Sequence, residues 1–169
     1  YGMQCLLSDG DKVVWKDSSD GAFQGRYLFV VDAGAICELT EIMTLEGSLR
    51  GVDIIVRPGG VLRHVITLSP SGKVYDHLNV FVEAGGEYHQ IYALCGSLQY
   101  RRVQQVTLQG ERSNAKIQGV LVASENQHIN EQVLFNHLGR SAKSSHLVST
   151  LLQKDSKVDV YSVVNVRKT

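Results

Sequence analysis

A repeat with a period of roughly 25 residues dominates this sequence and limits the folds open to it. Short β-rich runs recur along the sequence as Leu28-Phe29-Val30-Val31, Ile54-Ile55-Val56, Val80-Phe81-Val82 and Val106-Thr107-Leu108. The glycines that follow these runs are Gly34, Gly59, Gly85 and Gly110, whose positions differ by 25, 26 and 25, and Gly139 follows after a further 29 positions. The runs are short and rich in β-branched and aromatic residues, a composition that favours strands over helices.

The repeat also indicates how the strands pair. A unit of about 25 residues cannot bury its own apolar face, so neighbouring units must stack and share one core. Each strand then pairs with the equivalent strands of the units above and below, in the same direction. The sequence therefore predicts an all-β fold, a parallel β-helix of stacked coils. An antiparallel sandwich also has short strands, but they recur roughly every 8 to 12 residues, which does not explain a unit of this length.

Alignment of the repeats on their glycines predicts which side chains point inward. The residues four places before each glycine are Val30, Ile55, Phe81, Val106 and Phe135. We expect this apolar column to stack inside the coils. The residues four places after each glycine are Glu38, Arg63, His89, Asn114 and Lys143. We expect this polar column to face solvent, His64 and His89 to face opposite sides of a sheet, and the glycines to occupy corners.

Composition narrows the class of protein. The chain has 169 residues, of which 43% are hydrophobic and 20% are charged, as expected for one globular domain spanning residues 1–169. Its 17 basic residues balance its 17 acidic residues, so no net field favours nucleic acid or an anionic membrane. No apolar run approaches the roughly 20 residues that span a bilayer.

The cysteines and the chain ends give two further expectations. Cys5, Cys37 and Cys95 are widely spaced and form no CxxC pair, so reduced thiols are expected. A cytoplasmic protein follows, or one of an organellar matrix or stroma in a eukaryote. The chain stops immediately after the strand-like residues 163–166, and we expect it to be a fragment that lacks N- and C-terminal parts of a longer protein.

Several segments, in order along the chain, resemble the β-helical core of the SufB/SufD family. They are residues 103–111 (VQQVTLQGE), similar to the family's VxVxLxGEGAE; 117–122 (IQGVLV), similar to LNGLYL; 127–130 (QHIN), similar to QHVD; and 158–167 (VDVYSVVNVR), similar to RAVFNGKIVVR. His137 stands where the family commonly has a second histidine. SufD fits better than SufB because QHIN follows a strand and a turn. One departure is Glu131-Gln132-Val133, where the family usually has His-His-Thr.

The resemblance implies a right-handed parallel β-helix within a complex that assembles iron-sulfur clusters. In this family SufD pairs with SufB, and an ATP-hydrolysing SufC binds the helical C-terminal parts. The implied partners are therefore a SufB-like subunit and a SufC-like ATPase, and no cofactor is expected in this fragment, with a transient cluster in the full complex. The family's best-known functional cysteine and histidine belong to segments that would follow Thr169, so neither is assigned to a residue here.

Histidines and cysteines are the candidate metal ligands. Imidazole and thiolate groups suit iron, and the residues that offer them here are His128, His137 and Cys95, with His146 as an addition. No local spacing such as HxH joins two of them, and exposed strand residues are the alternative interpretation. A thiolate of Cys37 or Cys95 would suit sulfur or cluster chemistry, but a small buried side chain is the usual role of a free cysteine and is favoured here.

No catalytic constellation is found, since the sequence has neither a GxSxG elbow nor a phosphate-binding GxxxxGK[ST] loop. The sequence therefore predicts a non-catalytic scaffold subunit. One alternative is a carbohydrate-active β-helix protein, which requires clustered carboxylates; Asp32, Glu41 and Glu83 do not share a column in the repeat. Another is a structural module that forms homodimers through its open β-helix edges.

Overall fold

The structure is a computed structural model that describes residues 2–19, 24–96 and 98–167. These residues form thirteen β-strands and no helix. The strands are β1 (Met3–Leu7), β2 (Lys12–Ser19), β3 (Gln24–Val31), β4 (Ile36–Leu45), β5 (Leu49–Val56), β6 (Val61–Leu68), β7 (Lys73–Val82), β8 (Glu87–Cys95), β9 (Gln99–Leu108), β10 (Asn114–Ala123), β11 (His128–His137), β12 (Lys143–Leu152) and β13 (Lys157–Val166). No helix that is long and apolar enough to cross a membrane is found within these ranges.

The strands form two parallel sheets that face each other. The odd-numbered strands make a seven-stranded sheet in the order β1-β3-β5-β7-β9-β11-β13, and the even-numbered strands make a six-stranded sheet from β2 to β12. Every strand pairs in parallel with the strand one coil before or after it. Each coil thus supplies one strand to each sheet, and the predicted parallel β-helix is confirmed.

The coils lengthen along the chain. Paired residues are 24 positions apart at Met3 and Tyr27, 26 apart at Val52 and Leu78, and 29 apart at Gln104 and Val133. The four residues 83–86 turn the corner after β7, whereas the five residues 109–113 turn the corner after β9. This extra corner residue decides which side chains point inward, because a shift of one residue moves a strand's side chains to the opposite face.

The predicted apolar column was therefore wrong in its first three members. The inward row is Phe29, Ile54, Val80, Val106 and Phe135, which pair in register and are at most 1% exposed. Val30, Ile55 and Phe81 lie on the outer face and are half-buried. The alignment failed because the left-handed corner position is not always a glycine. Gly85 occupies this position after β7, with a φ of 64°, but Arg112 occupies it after β9, with a φ of 58°. Gly110 is not the equivalent of Gly85, so the glycine alignment slips by one residue.

Gly110 and Gly139 have a different structural role. A Cβ atom on Gly110 would lie 1.9 Å from the backbone nitrogen of Ala84, and one on Gly139 would lie 1.9 Å from the carbonyl oxygen of Gly110. Both are corner residues, as expected, but it is the close approach of the neighbouring coil that requires glycine there.

The predicted polar column was confirmed for its first three members. Glu38, Arg63 and His89 pair in register on the outer face of the even-numbered sheet. Asn114 and Lys143 lie on the same face but in the row of Glu87, two residues earlier along the strands. The prediction for the two histidines was also correct, since His89 faces outward and the neighbouring His64 faces inward, only 1% exposed.

Candidate functional site

Four charged side chains of alternating sign form a row inside the β-helix. Arg50 on β5, Asp76 on β7, Arg102 on β9 and Glu131 on β11 pair in register on the inner face of the odd-numbered sheet. None of the four is more than 1% exposed. Strands in a sheet are about 4.8 Å apart, so each charge has an opposite charge as its neighbour in the next coil. We call this row the charge ladder.

Arg50 holds the first part of the ladder together. Its Nη1 donates to Glu41 Oε2 at 2.6 Å across the core, from β5 to β4 of the opposite sheet. Its Nε donates to Asp76 Oδ1 at 2.9 Å, and the Tyr100 hydroxyl donates to Asp76 Oδ2 at 2.8 Å. Charge-assisted bonds of this kind are the stronger class of hydrogen bond, and together they clamp the two sheets.

Glu41 extends the network into the even-numbered sheet. His64 Nε2 lies 2.8 Å from Glu41 Oε1, and since a carboxylate only accepts, His64 donates this bond. The other ring nitrogen of His64, Nδ1, lies 2.9 Å from the Tyr88 hydroxyl oxygen. A continuous hydrogen-bonded path therefore runs from Tyr88 through His64, Glu41 and Arg50 to Asp76.

The second part of the ladder is looser. Arg102 Nε lies 3.7 Å from Asp76 Oδ2, and Arg102 Nη1 lies 3.8 Å from Glu131 Oε1, which are ion-pair distances too long for hydrogen bonds. The Arg102 guanidinium carbon lies 4.8 Å from the centre of the Tyr92 ring, a cation–π contact. The Tyr92 hydroxyl donates to Glu131 Oε2 at 2.5 Å.

Gly119 makes room for Tyr92 in this arrangement. A Cβ atom on Gly119 would lie 2.0 Å from Tyr92 Cζ, so the ring occupies the space of a missing side chain. Gly119 pairs with Tyr92 in the neighbouring strand of the even-numbered sheet. The glycine therefore sets the position of the ring that contacts both Arg102 and Glu131.

This environment shifts the pKa values of Glu41 and Glu131 in opposite directions. Burial by itself raises the pKa of Glu41, but the charges of Arg50 and His64 and their hydrogen bonds more than offset burial and lower that pKa to about 2. Burial raises the pKa of Glu131, and the distant Arg102 charge does not compensate for it. Burial also raises the pKa of Tyr88 and of Tyr100, so both hydroxyls remain protonated and can donate.

Several polar atoms of this interior make no hydrogen bond within the described chain. They are Arg50 Nη2, Gln90 Nε2, Gln104 Oε1, Glu131 Oε1 and the Nε, Nη1 and Nη2 atoms of Arg102. Such atoms are costly to bury unless they bond to something, and ordered water is the usual partner. The interior thus holds charges of alternating sign away from solvent. The Arg102 nitrogens remain able to donate hydrogen bonds to a small polar molecule.

Comparison with known families agrees with this architecture. The family model described as SUF system FeS cluster assembly, SufBD core domain, matches residues 13–169. The chain belongs to the SufBD core family. Its role is accordingly in iron-sulfur cluster assembly by the SUF system. No curated protein matched the sequence.

The structure of this SufBD core domain separates the candidate metal ligands that the sequence suggested. His128 begins β11 and its Nε2 lies 2.8 Å from Asp159 Oδ2 on β13, whereas His137 ends β11 with its Nε2 2.8 Å from Ser144 Oγ. Nine residues of strand place the two histidines about 30 Å apart. Cys95 ends β8, in the other sheet.

The remaining candidate, His146, belongs to the interior of the SufBD core domain. Its ring lies 6.4 Å from that of Phe135, and burial, together with the charge of Arg102, lowers its pKa. Within the described residues, no group of three or more His, Cys, Asp or Glu side chains is arranged to hold a metal ion.

The cysteines of the SufBD core domain differ in burial. Cys37 is fully buried and its thiol lies 3.1 Å from the Ser8 carbonyl oxygen, to which it donates, so the expected burial is confirmed. Burial, with Asp11 and Asp9 nearby, raises the pKa of Cys37 and keeps the thiol protonated. The same expectation of burial was wrong for Cys95, which is exposed. Cys95 follows the buried Leu94 in β8, so the alternation of the strand places it on the outer face.

Sequence reasoning missed the charge ladder, although the repeat contained a signal for it. Arg50, Asp76 and Arg102 follow one another at intervals of 26 positions, the same offset that separates the paired residues of their strands. An inspection of the columns for apolar residues alone overlooks such a row, because charged residues are rarely buried and are assigned to the surface by default.

Proposed function

We propose that this SufBD core domain is a non-catalytic, SufD-like scaffold subunit of a complex that assembles iron-sulfur clusters. The observation that carries the proposal is the match to the SufBD core family over residues 13–169, on a fold whose buried charges clamp the two sheets to each other. A stiff β-helix suits a subunit that holds partners at fixed positions. The partners proposed are a SufB-like subunit and a SufC-like ATPase.

The contacts of the buried groups support a scaffold role. The Glu41 carboxylate and both Asp76 oxygens are engaged by Arg50, His64 and Tyr100, so these groups are held in place by other side chains. Buried polar groups that are hydrogen-bonded, as in this Arg50 part of the charge ladder, stiffen a core and select one register of packing. We infer that the charge ladder fixes the stacking register of the coils, as buried polar groups do in some other proteins.

A SufD-like identity and a reducing compartment are parts of the same proposal. The QHIN segment at residues 127–130 follows β10 and a corner, which is the order on which the resemblance to SufD rests. All three cysteines are free, which agrees with a cytoplasmic or organellar location. An iron-sulfur cluster is cargo of the complex. No ligand role is assigned to Cys95, His128 or His137, although Cys95 is an exposed thiol, and the triple variant below tests this.

Co-purification tests the scaffold proposal. The full-length protein would be co-expressed with a SufB-like and a SufC-like protein, purified under reducing, anaerobic conditions and sized by light scattering. We expect a stable complex that contains all three. Failure of the full-length protein to associate with either partner would overturn the proposal.

A second measurement tests the non-catalytic assignment. Cluster formation by the complex would be followed by visible absorbance with Cys95→Ser, His128→Asn and His137→Asn introduced together, with Cys5→Ser as a matched control. We expect cluster yield to fall to background when this subunit is omitted and to change less than twofold with the triple variant. A loss of yield with the triple variant in an intact complex would show that these side chains take part in the chemistry.

A further inference from the structure

A groove lined by both polar and apolar groups lies on the outer face of the odd-numbered sheet, outside the charge ladder. Its volume is about 510 Å³, and it is located where strands β7, β9 and β11 begin. The polar side chains that line it are the buried Ser48 and Tyr100 and the more exposed Lys73, Gln99, Arg101, His128, Asn130 and Gln132. Tyr75 contributes an aromatic wall. We call it the β7–β11 groove.

The register of the strands brings three basic side chains around this groove. Lys73, Gln99 and His128 pair in one row, and Tyr75, Arg101 and Asn130 pair in the row two residues further on. With strands about 4.8 Å apart and a rise of about 3.3 Å per residue, the Cα atoms of Lys73, Arg101 and His128 form a triangle with sides of about 8 to 10 Å. Side chains of this length can converge on one group at its centre.

The charges in the groove are only partly compensated. Within the described ranges, Lys73 and Arg101 form no ion pair, and no carboxylate lines the cavity. Asp159, which follows Arg101 and Asn130 in their row on the outer face, lies beside the groove and is engaged by His128 at 2.8 Å and Lys157 at 2.9 Å. The groove therefore carries net positive charge on a chain whose net charge is zero.

Two further contacts point to the kind of ligand. The Arg101 guanidinium carbon lies 5.8 Å from the centre of the Tyr75 ring, which orients the planar fork that recognises phosphate oxygens in pairs. Asn130 Oδ1 is buried in the wall without a hydrogen-bond partner, and it is an acceptor. An acceptor beside a cationic centre suits a hydroxyl group that accompanies an anion.

We propose that the β7–β11 groove binds the phosphoryl group of a small hydroxyl-bearing molecule. Lys73 and Arg101 bind the phosphoryl oxygens, and Asn130 accepts a hydrogen bond from a ligand hydroxyl. The site does not depend on the scaffold role, since it uses neither the interior nor a partner subunit.

Binding of three probes to the 169-residue chain tests this site. Inorganic phosphate, ribose 5-phosphate and uncharged ribose would be titrated, with amide chemical shifts recorded by NMR. We expect saturable shifts at Lys73, Gln99, Arg101 and Asn130 with both phosphates, tighter binding of ribose 5-phosphate, and no binding of ribose. Equal affinity for inorganic phosphate and ribose 5-phosphate would show that the site recognises only the anion, and it would overturn the role of Asn130.

A matched pair of double variants separates a defined site from general charge attraction. Lys73→Met with Arg101→Met removes two charges from the groove, and Lys116→Met with Arg63→Met removes two charges from the outer face of the other sheet. We expect the groove variant to weaken phosphate binding at least tenfold, as the loss of charge-assisted bonds predicts, and the control to change it less than twofold.

Equal weakening by both double variants would overturn the proposal, as would shifts that map elsewhere or binding of neither phosphate. Circular dichroism would verify that each variant is folded. Arg101→Lys provides a second measure: it keeps the charge but loses the planar fork, so we expect affinity between those of the native chain and the double variant. Affinity of Arg101→Lys equal to the native value would contradict the proposed role of the fork.

Discussion

Arg50 illustrates, for a single residue, what a buried charge requires. Its guanidinium is inaccessible to solvent and is compensated by Glu41 on one sheet and Asp76 on the other. Moving a charge out of water costs several kcal/mol, which such close partners recover through attraction and hydrogen bonds. Removal of this cation alone would leave two buried carboxylates without their closest positive charge, with only His64 beside Glu41 and Tyr100 and the more distant Arg102 beside Asp76.

We therefore predict that Arg50→Met lowers the free energy of unfolding by about 3 to 5 kcal/mol, the usual cost of breaking a buried ion pair. Urea denaturation followed by circular dichroism would measure it. The control is Arg63→Met, whose side chain is 63% exposed and pairs with Glu38, and which should change stability by less than about 1 kcal/mol. Similar effects of the two substitutions would contradict the assigned role of Arg50.

Gly119 provides a second test of a single residue. Gly119→Ala places a methyl group within the Tyr92 ring, so the ring must move away from Arg102 and Glu131. We predict a loss of about 1 to 3 kcal/mol of stability, typical of overpacking, together with a change in Tyr92 fluorescence or NMR signals. Gly51→Ala is the control, because its nearest contact would be an ordinary 3.4 Å to the Arg26 side chain. An unchanged Tyr92 environment in Gly119→Ala would contradict the packing described.

Among the strands, the charge ladder couples elements that are far apart in sequence. Its members lie on β5, β7, β9 and β11, and its partners on β4, β6 and β8. The stability of each of these strands therefore depends on the ionisation of side chains in the next coil. The two ends of the network differ, since Glu41 is tightly compensated and Glu131 is not.

This difference predicts opposite pH dependences. The pKa of Glu41 is about 2 in the folded chain and ordinarily 4.5, so its ionised form stabilises the fold above pH 4.5, and this contribution is lost as the pH falls towards 2. Glu41→Gln should then cost a few kcal/mol at pH 7 and progressively less between pH 4.5 and 2. Urea denaturation at pH 7, 5 and 3 would measure the difference.

Glu131→Gln is the matched variant with the opposite sign. The folded pKa of Glu131 is raised, so its stabilising contribution is present below pH 4.5 and is lost as the pH rises through the folded pKa. Relative to the native chain, Glu131→Gln should become more stable as the pH rises. If the stability of Glu41→Gln and that of Glu131→Gln, each relative to the native chain, changed with pH in the same direction, this account of the ladder would be contradicted.

In the molecule as a whole, the stacked coils expose a surface where the described strands end. β12 and β13 each pair with one neighbouring strand, and Val160, Val163, Val164 and Val166 on β13 are all more than a third exposed. Unpaired backbone groups beside apolar side chains favour the addition of another strand. Val164 continues the inward row of Phe135, so it marks the open end of the core.

We predict that the 169-residue chain self-associates through this end, and that Val164→Lys shifts it to the monomer, because an inward-pointing charge disfavours edge pairing. Sedimentation velocity at several concentrations would measure the shift. Val65→Lys is the control, since Val65 is exposed on the outer face of the even-numbered sheet and should leave association unchanged. A native chain that stays monomeric at all concentrations would contradict the prediction.

The architecture could be predicted from the sequence alone, because a unit that cannot bury its own apolar face must stack on its neighbours. The spacing of the glycines indicated the length of that unit. The face that each residue occupies could not be predicted in the same way. One extra residue in the corner after β9 reverses the alternation, so Val106 points inward while Phe81, aligned with it by glycine spacing, points outward.

The same limit applies to the two sites. Residue type alone does not distinguish the buried Arg50 from the exposed Arg63, since charged residues are ordinarily at the surface. The charge ladder and the β7–β11 groove both arise from strand register, which joins residues 26 to 29 positions apart. Register depends on the length of each corner and on packing between coils, and these are properties of the folded chain.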